Sequence, residues 1–341
     1  MDKDDNALDP HSTTMRAIAA AAGVSVSTVS RALSGRGNLS ASTRERVLHA
    51  AEQLDWRPVR RGRHPGSDNR LIELVLGGFN DAWAEEATAG AREAAFERGY
   101  DLVLTLERYD PEDDWPARVA RRFPTGVILG LIRPTSVQLS TLRGLQIPLV
   151  LFDPASDPQG EFASVGTTDH QGGYDAGTHL VQAGYQRFIV VGGSPPFRFG
   201  RAREAGFRAA ITELAPRAVV ERIEATWTQA NVLSAFRRLV EDSTTPVGVF
   251  ACNDEMAFAV YRAARRLGLD IPRDVGVVGF NDEPRAITAT PALSSVRQPV
   301  RQMAAAAVTL VTRMRESRNS EPQHVELPTR LIARASSQRM H

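Results

Sequence analysis

The stretch Ile18-Ala19-Ala20-Ala21-Ala22-Gly23-Val24-Ser25-Val26-Ser27-Thr28-Val29-Ser30-Arg31-Ala32-Leu33 decides how this chain is read. Thr14 to Ala22 reads as a short alanine-rich helix that Thr14 can cap. Gly23 then admits the left-handed backbone of a tight turn, and Val24 plugs the corner. Ser25 can cap a second helix, Val26 to Leu33. On that helix Val29 and Leu33 lie four apart on one face, with Ser27 and Arg31 four apart on the opposite face. Ser34-Gly35 ends it, and Ser42 can cap a third helix over Thr43 to Leu54, with Val47, Ala50 and Leu54 inward. Helix, glycine turn, helix with a polar outer face is the helix-turn-helix pattern, whose second helix enters the DNA major groove.

Charge marks the same module. The 341 residues carry a formal charge of only +1, unevenly spread. Residues 1–11 hold Lys3 against Asp2, Asp4, Asp5 and Asp9, a net of −3. Residues 12–66 hold nine arginines against Glu45, Glu52 and Asp55, a net of +6, and the other 275 residues net −2. A basic unit on a slightly acidic body points to nucleic acid rather than a membrane surface, because residues 12–66 show no broad apolar helix face. A solvated arginine-rich face would carry the same charge; the helix pattern separates the two.

The run Ile18 to Gly35, with Leu39-Ser40-Ala41-Ser42-Thr43-Arg44-Glu45-Arg46-Val47, resembles the headpiece of LacI/GalR-type repressors in turn residue, caps, core positions and spacing together. The resemblance implies pseudo-palindromic double-stranded operator DNA as a partner. It places Val26, Ser27 and Arg31 at base edges, and Thr14, Ser25, Thr28, Asn38, Ser40 and Thr43 at phosphates. The chemistry suits these places: valine packs a thymine methyl, serine bonds either base type, and arginine fits guanine O6/N7 or a phosphate. For Ser25 and Thr43 helix capping is an equally good role. In the family the residue seven after the proline matching Pro58 is usually a leucine that wedges into the minor groove from a hinge helix. Here Pro65 stands there, with Gly62 nearby, and both disfavour a helix, proline by ~3 kcal/mol in an interior. Two expectations follow from that composition: an arm of Arg60, Arg61 and Arg63 in the minor groove, or a flexible basic linker.

From Leu71 short apolar runs alternate with amphipathic stretches. Strands are expected at Leu71–Leu76, Leu102–Leu106, Val127–Leu131, Leu149–Phe152, Phe188–Val191, Val247–Ala251, Val275–Val278 and Leu331–Ala333. Helices are expected at Trp83–Arg98, Gly172–Ala183, Arg201–Glu213, Gln229–Val240, Glu255–Leu267 and Arg301–Arg315. Such β-α repeats build parallel sheets, here too many for one, so two lobes should split near residue 155 with late crossings near 284–300. Ligands of such sheets sit at strand carboxyl ends and in the cleft between lobes. The expected fold is a small all-α helix-turn-helix domain (12–57), a basic linker (58–70) and a two-lobed α/β domain (71–341).

Residues 70–336 resemble the type I periplasmic-binding-protein-like effector domain of the same family, through Ile147 to Asp153, Val165 to Asp169, Arg203-Glu204-Ala205-Gly206-Phe207, Ala251 to Asp254, Gly279-Phe280-Asn281-Asp282 and Pro291 to Pro299. The resemblance implies effector contacts at Asp153, Arg203, Trp227, Asn253 and Asn281, and also at Phe79, Trp83 and Asp169. Carboxylates, amides, an arginine and flat aromatics suit a polyhydroxylated ligand, a sugar above all. Each residue has a plainer role open to it: Asn253 as a helix cap, Trp227 as core, Arg203 as partner of Glu204 or Glu213, with Arg201 as its substitute.

Counting removes other chemistries. Cys252 is the one cysteine and Lys3 the one lysine, which excludes an intramolecular disulfide, a cysteine zinc cluster, a P-loop and a lysine Schiff base. His170 and His179 fall on opposite faces of one helix and cannot share a metal. No cofactor and no metal is expected. Met1 to Pro10 is acidic, and no window approaches ~18 consecutive apolar residues, so the expectation is a cytoplasmic protein without a membrane partner. No apolar heptad tail precedes His341, so the expected assembly is a homodimer. Competing readings are a solute-binding protein, which leaves residues 12–66 unexplained, and an enzyme on the same scaffold.

Overall fold

The computed structural model describes residues 15–34, 39–54, 56, 69–108, 110, 113–155, 161–194, 197–226, 232–241, 245–317 and 322–338. At the N-terminal end three helices, α1 (Met15–Ala22), α2 (Val26–Ser34) and α3 (Ala41–Gln53), enclose a core of Ile18, Val29 and Val47 with alanines between them. Gly23 takes φ +64° in the turn, closed by Val24 N–H donating to the Ala19 carbonyl at 3.0 Å. Ser25 caps α2 through the Thr28 amide at 3.1 Å. The cap of α3 is Ser40, not Ser42: with extended backbone, Ser40 accepts from the Thr43 amide at 3.2 Å, and the helix begins two residues earlier than expected.

The body is two six-stranded sheets. The first lobe contains β1 (Leu71–Leu76), α4 (Ala82–Glu97), β2 (Asp101–Leu106), α5 (Trp115–Arg122), β3 (Gly126–Gly130), α6 (Ser136–Gly144), β4 (Leu149–Phe152) and β5 (Ala163–Thr167). The second contains α7 (Asp169–Gln182), β6 (Arg187–Ser194), α8 (Arg198–Leu214), β7 (Val220–Thr226), α9 (Val232–Val240), β8 (Val247–Ala251), α10 (Asp254–Leu267), β9 (Val275–Asn281), α11 (Pro284–Thr288) and β10 (Ser294–Arg297). Then α12 (Val300–Glu316) and β11 (His324–Leu327) return to the first lobe and β12 (Arg330–Ile332) to the second. The strand orders are β11-β5-β4-β3-β1-β2 and β12-β10-β9-β8-β6-β7. Every pairing is parallel except β10 with β12. Strands buried on both faces read as near-continuous apolar runs, which is why β4, β8 and β1, the last interrupted only by the buried Glu73, were legible.

The chain therefore changes lobe at Thr168, at Gln298-Pro299 and at Pro328-Thr329. The first crossing corrects the expected split near 155: β5, Ala-Ser-Val-Gly-Thr in composition, is too small and polar to signal a strand, yet it completes the first sheet. The second falls within the expected window. The third escaped the sequence reading. Crossings one and three are tied together, with Thr168 N–H on the Leu327 carbonyl (3.1 Å) and Thr329 N–H on Thr168 Oγ1 (2.9 Å).

Two glycines bring α7 and α8 unusually close. A Cβ on Gly173 would run into the Arg203 carbonyl, and one on Gly206 into the His170 carbonyl. That contact sets Asp169 and Arg203 side by side, at the cleft end of each helix.

Candidate functional site

Two sites emerge from this frame. On α2, which touches α5 of the first lobe, the outward side chains are exposed. Val26 is 42% exposed, and Ser27 and Arg31 are exposed as well. Arg31 Nε donates to the Ser27 carbonyl at 3.2 Å, which aligns the guanidinium along the helix face. Ser25 Oγ lies 2.8 Å from both Ser27 Oγ and Thr28 Oγ1, and Ser40 Oγ lies 2.8 Å from Thr43 Oγ1. Hydroxyls cluster at the two helix N-termini, where free amides and the helix dipole favour phosphate. Thr14, Asn38 and the arm Arg60, Arg61 and Arg63 with Pro65 lie outside the described residues.

The second site is a polar network between the lobes. Asp153 follows β4 at φ +46°, Asp169 opens α7, Arg203 lies on α8, and all three are at most 3% exposed. Arg203 Nε donates to Asp169 Oδ1 at 2.8 Å and Nη1 to the Cys252 carbonyl at 2.8 Å. Its guanidinium lies 3.7 Å over the Phe280 ring and 5.0 Å from Phe199. The pairing with Asp169 replaces the Glu204 or Glu213 partner left open by the sequence; Glu204 instead holds Arg208 and Arg222.

Gln298, on the second crossing, joins this cluster to the first lobe. Its Nε2 donates to Asp153 Oδ2 (2.9 Å) and Thr167 Oγ1 (3.3 Å), and its Oε1 accepts from Trp83 Nε1 at 3.1 Å. Trp83 is tilted 30° against Phe152 at 5.1 Å, and Phe79 packs half-buried on the same core. Asn281 ends β9 at φ +105°, and its carbonyl accepts from the Gln298 amide at 3.5 Å. Asn253 caps α10 through the Met256 amide at 2.8 Å, so the capping role is its own. Trp227 lies outside the described residues.

Sequence reasoning passed over Gln298, because nothing in Val296-Arg297-Gln298-Pro299 marks an amide that three first-lobe residues will share. Phe280 and Phe199, the aromatic bed of Arg203, were missed likewise.

Electrostatics distinguish the carboxylates. Burial, then the charge of Asp169, pushes the Asp153 carboxyl up to about 7, against the pull of Arg203. Asp254, wholly buried, rises to about 8 for the same first reason while accepting from Ser295 Oγ (2.6 Å) and the Glu283 amide (2.8 Å). That anchor fixes the loop carrying Asn281. Burial pushes Cys252 up to about 12, so its thiol stays protonated and unreactive.

A three-helix DNA-reading unit on a two-lobed clamp with a polar cleft is the architecture of a ligand-responsive DNA-binding regulator. Two family profiles agree: "Bacterial regulatory proteins, lacI family" over residues 14–59 and "Periplasmic binding protein-like domain" over residues 178–337. The HTH-type transcriptional regulator DegA of Bacillus subtilis is 27% identical over 332 residues, 95% of this chain and 98% of its own. A cellobiose complex of the transcriptional regulator CelR is 28% identical, with a TM-score of 0.73 over 95% of this chain and 99% of its own. The lac repressor dimer bound to operator and an anti-inducer, 22% identical, shares the fold at a TM-score of 0.71 over 96% of this chain and 100% of its own. The chain thus joins a LacI-family helix-turn-helix region to a periplasmic-binding-protein-like domain, its homologues are LacI/GalR regulators rather than enzymes, and it is a LacI-type DNA-binding regulator. Among the described residues no helix is long and apolar enough to cross a membrane.

Proposed function

We propose that this regulator is a homodimeric, cytoplasmic repressor whose operator affinity is set by a small saccharide in the interlobe cleft. The observation that carries the reading is the set of buried cleft oxygens without a partner, Asp153 Oδ1, Asp169 Oδ2 and Asn281 Oδ1, because buried acceptors are rarely left unpaired without a ligand or water to serve them. The cellobiose carried by CelR and the operator-bound dimer of lac repressor accord with it. Asp153, Asp169, Arg203, Asn253 and Asn281 supply the polar contacts, with Phe79, Trp83 and Trp227 as the apolar walls. Val26, Ser27 and Arg31 read base edges, and Thr14, Ser25, Thr28, Asn38, Ser40 and Thr43 hold phosphates. Arg60, Arg61 and Arg63 reach the minor groove in place of a hinge leucine.

Effector binding alters the lobe angle about the three crossings and thereby the spacing of two headpieces on a pseudo-palindrome. By linkage, effector and operator change each other's affinity by one common factor. Removing residues 1–66 tests the division of labour: operator binding by fluorescence anisotropy should vanish while saccharide binding by tryptophan fluorescence persists. Loss of saccharide binding with the headpiece would sink the reading.

A further inference from the structure

Taking the cleft as the effector site, its chemistry narrows what that effector is. The three buried oxygens left without a partner there, on Asp153, Asp169 and Asn281, can only accept hydrogen bonds while the carboxyls are ionised. Asp153 and Asp169 are 2% and 3% exposed, and the guanidinium bonded among them, Arg203, already spends Nε on Asp169 and Nη1 on the Cys252 carbonyl. The second guanidinium whose charge reaches Asp153, Arg198, is part-exposed and stands 3.9 Å from Glu326, so within the buried cluster two carboxylates face one bonded cation. A ligand bringing O–H or N–H donors satisfies those oxygens. A ligand bringing a phosphate or carboxylate adds a like charge where screening is weakest and leaves the acceptors unserved.

We propose that the cleft selects a hydrogen-bond-donating effector without negative charge, a free or amino-bearing saccharide rather than a phosphorylated or carboxylated one, with Asp153 and Asp169 as the selecting groups.

Titration separates the two classes. The groups around Asp153 are Asp169 from α7, Arg198 and Arg203 from α8, and Gln298 from the second crossing. Its carboxyl, raised to about 7, is partly protonated near neutrality. A hydroxyl donor binds the ionised form, so affinity for a neutral sugar rises with pH until Asp153 is fully ionised, and binding below that point expels a proton. An anion binds the protonated form better and shows the opposite slope.

The test titrates the full chain, by thermal shift and calorimetry, with matched sets: glucose, glucosamine and glucose 6-phosphate; cellobiose and cellobionate. A neutral or amino member should bind while its phosphate or acid counterpart does not. Affinity for the neutral member should be about tenfold higher at pH 8 than at pH 6, and flat in Asp153→Asn. Should that variant not fold, proton release by the wild type, read in buffers of different ionisation enthalpy, gives the same answer. An anionic member binding as tightly as its neutral parent, or a neutral sugar binding more weakly at pH 8, overturns the selection but leaves a saccharide site. No binding by any member overturns the saccharide reading itself.

Discussion

The α2 face proposed for DNA and the cleft proposed for the effector are built on opposite plans. On α2, Val26, Ser27 and Arg31 stand in solvent and bond to nothing beyond their own helix and its cap. In the cleft, Asp169 is bonded to Arg203 in the second lobe and Gln298 to Asp153 and Trp83 of the first; all five are buried, and the charges of Asp169 and Arg203 act on Asp153 across the gap. The α2 face leaves its hydrogen-bonding capacity for a partner that arrives as a whole groove. The cleft commits most of its capacity internally and holds back a few oxygens. Substitution on the open face should therefore cost recognition and spare the fold, whereas substitution in the cleft should cost both.

Arg203→Ala should produce the largest effect. It leaves Asp169 buried with neither oxygen paired, and breaking a buried ion pair from one side costs about 3–5 kcal/mol. Chemical denaturation should register that loss, and saccharide binding should disappear with it. Arg203→Lys should rescue little, because an ammonium cannot bridge Asp169 and the Cys252 carbonyl while lying flat on Phe280. A stable, saccharide-binding Arg203→Ala protein would erase the contrast between the two sites.

Arg31→Ala is the counterpart on the open face. Losing a base-edge or phosphate contact should weaken operator binding by about 1–3 kcal/mol. Unfolding free energy should stay within about 0.5 kcal/mol of wild type, as for an ordinary surface substitution. Anisotropy titration and denaturation on one preparation check both halves. A variant that unfolds early would show that Arg31 serves the headpiece fold instead.

What the sequence made legible follows the same division. The headpiece could be read because helix periodicity, a glycine turn and cap residues are local signals, and α1 and α2 begin and end within a residue of their expected bounds. In the body, β1, β4 and β8 announced themselves as near-continuous apolar runs buried on both faces. The strands that escaped are small, charged or at sheet margins: Ala163–Thr167, Val220–Thr226 with its alternating Glu221, Arg222 and Glu224, Ser294–Arg297 and His324–Leu327. Their pairing is decided by neighbours far away in the chain, not by local propensity. Asp153 and Asn281 could be singled out because cleft residues sit at strand ends, and Asp169 through the family resemblance alone, since the strand before it escaped. Gln298 could not, since its role depends on a lobe crossing that places Trp83, 215 residues away, beside it.

The smallest expected effect sharpens the comparison most, because at Ser40 one hydroxyl serves the fold and is also assigned to DNA. Its oxygen caps α3 through the Thr43 amide, and the same oxygen stands among the hydroxyls proposed for phosphate. Ser40→Ala should cost about 1 kcal/mol of headpiece stability, whereas glycine at an N-cap costs only a few tenths. Ser40→Gly should therefore keep α3 nearly as stable as wild type while removing the hydroxyl from DNA. Ser42→Ala removes only the 3.2 Å contact that the Ser42 hydroxyl makes with Ser40 Oγ and leaves the cap bond to the Thr43 amide in place, so it should cost less stability than Ser40→Ala. If Ser40→Gly binds operator as wild type does while Ser40→Ala does not, capping alone explains Ser40. If the two variants lose operator affinity alike despite their different stabilities, the hydroxyl acts on the phosphate, and even a residue buried in the logic of the fold is read by DNA.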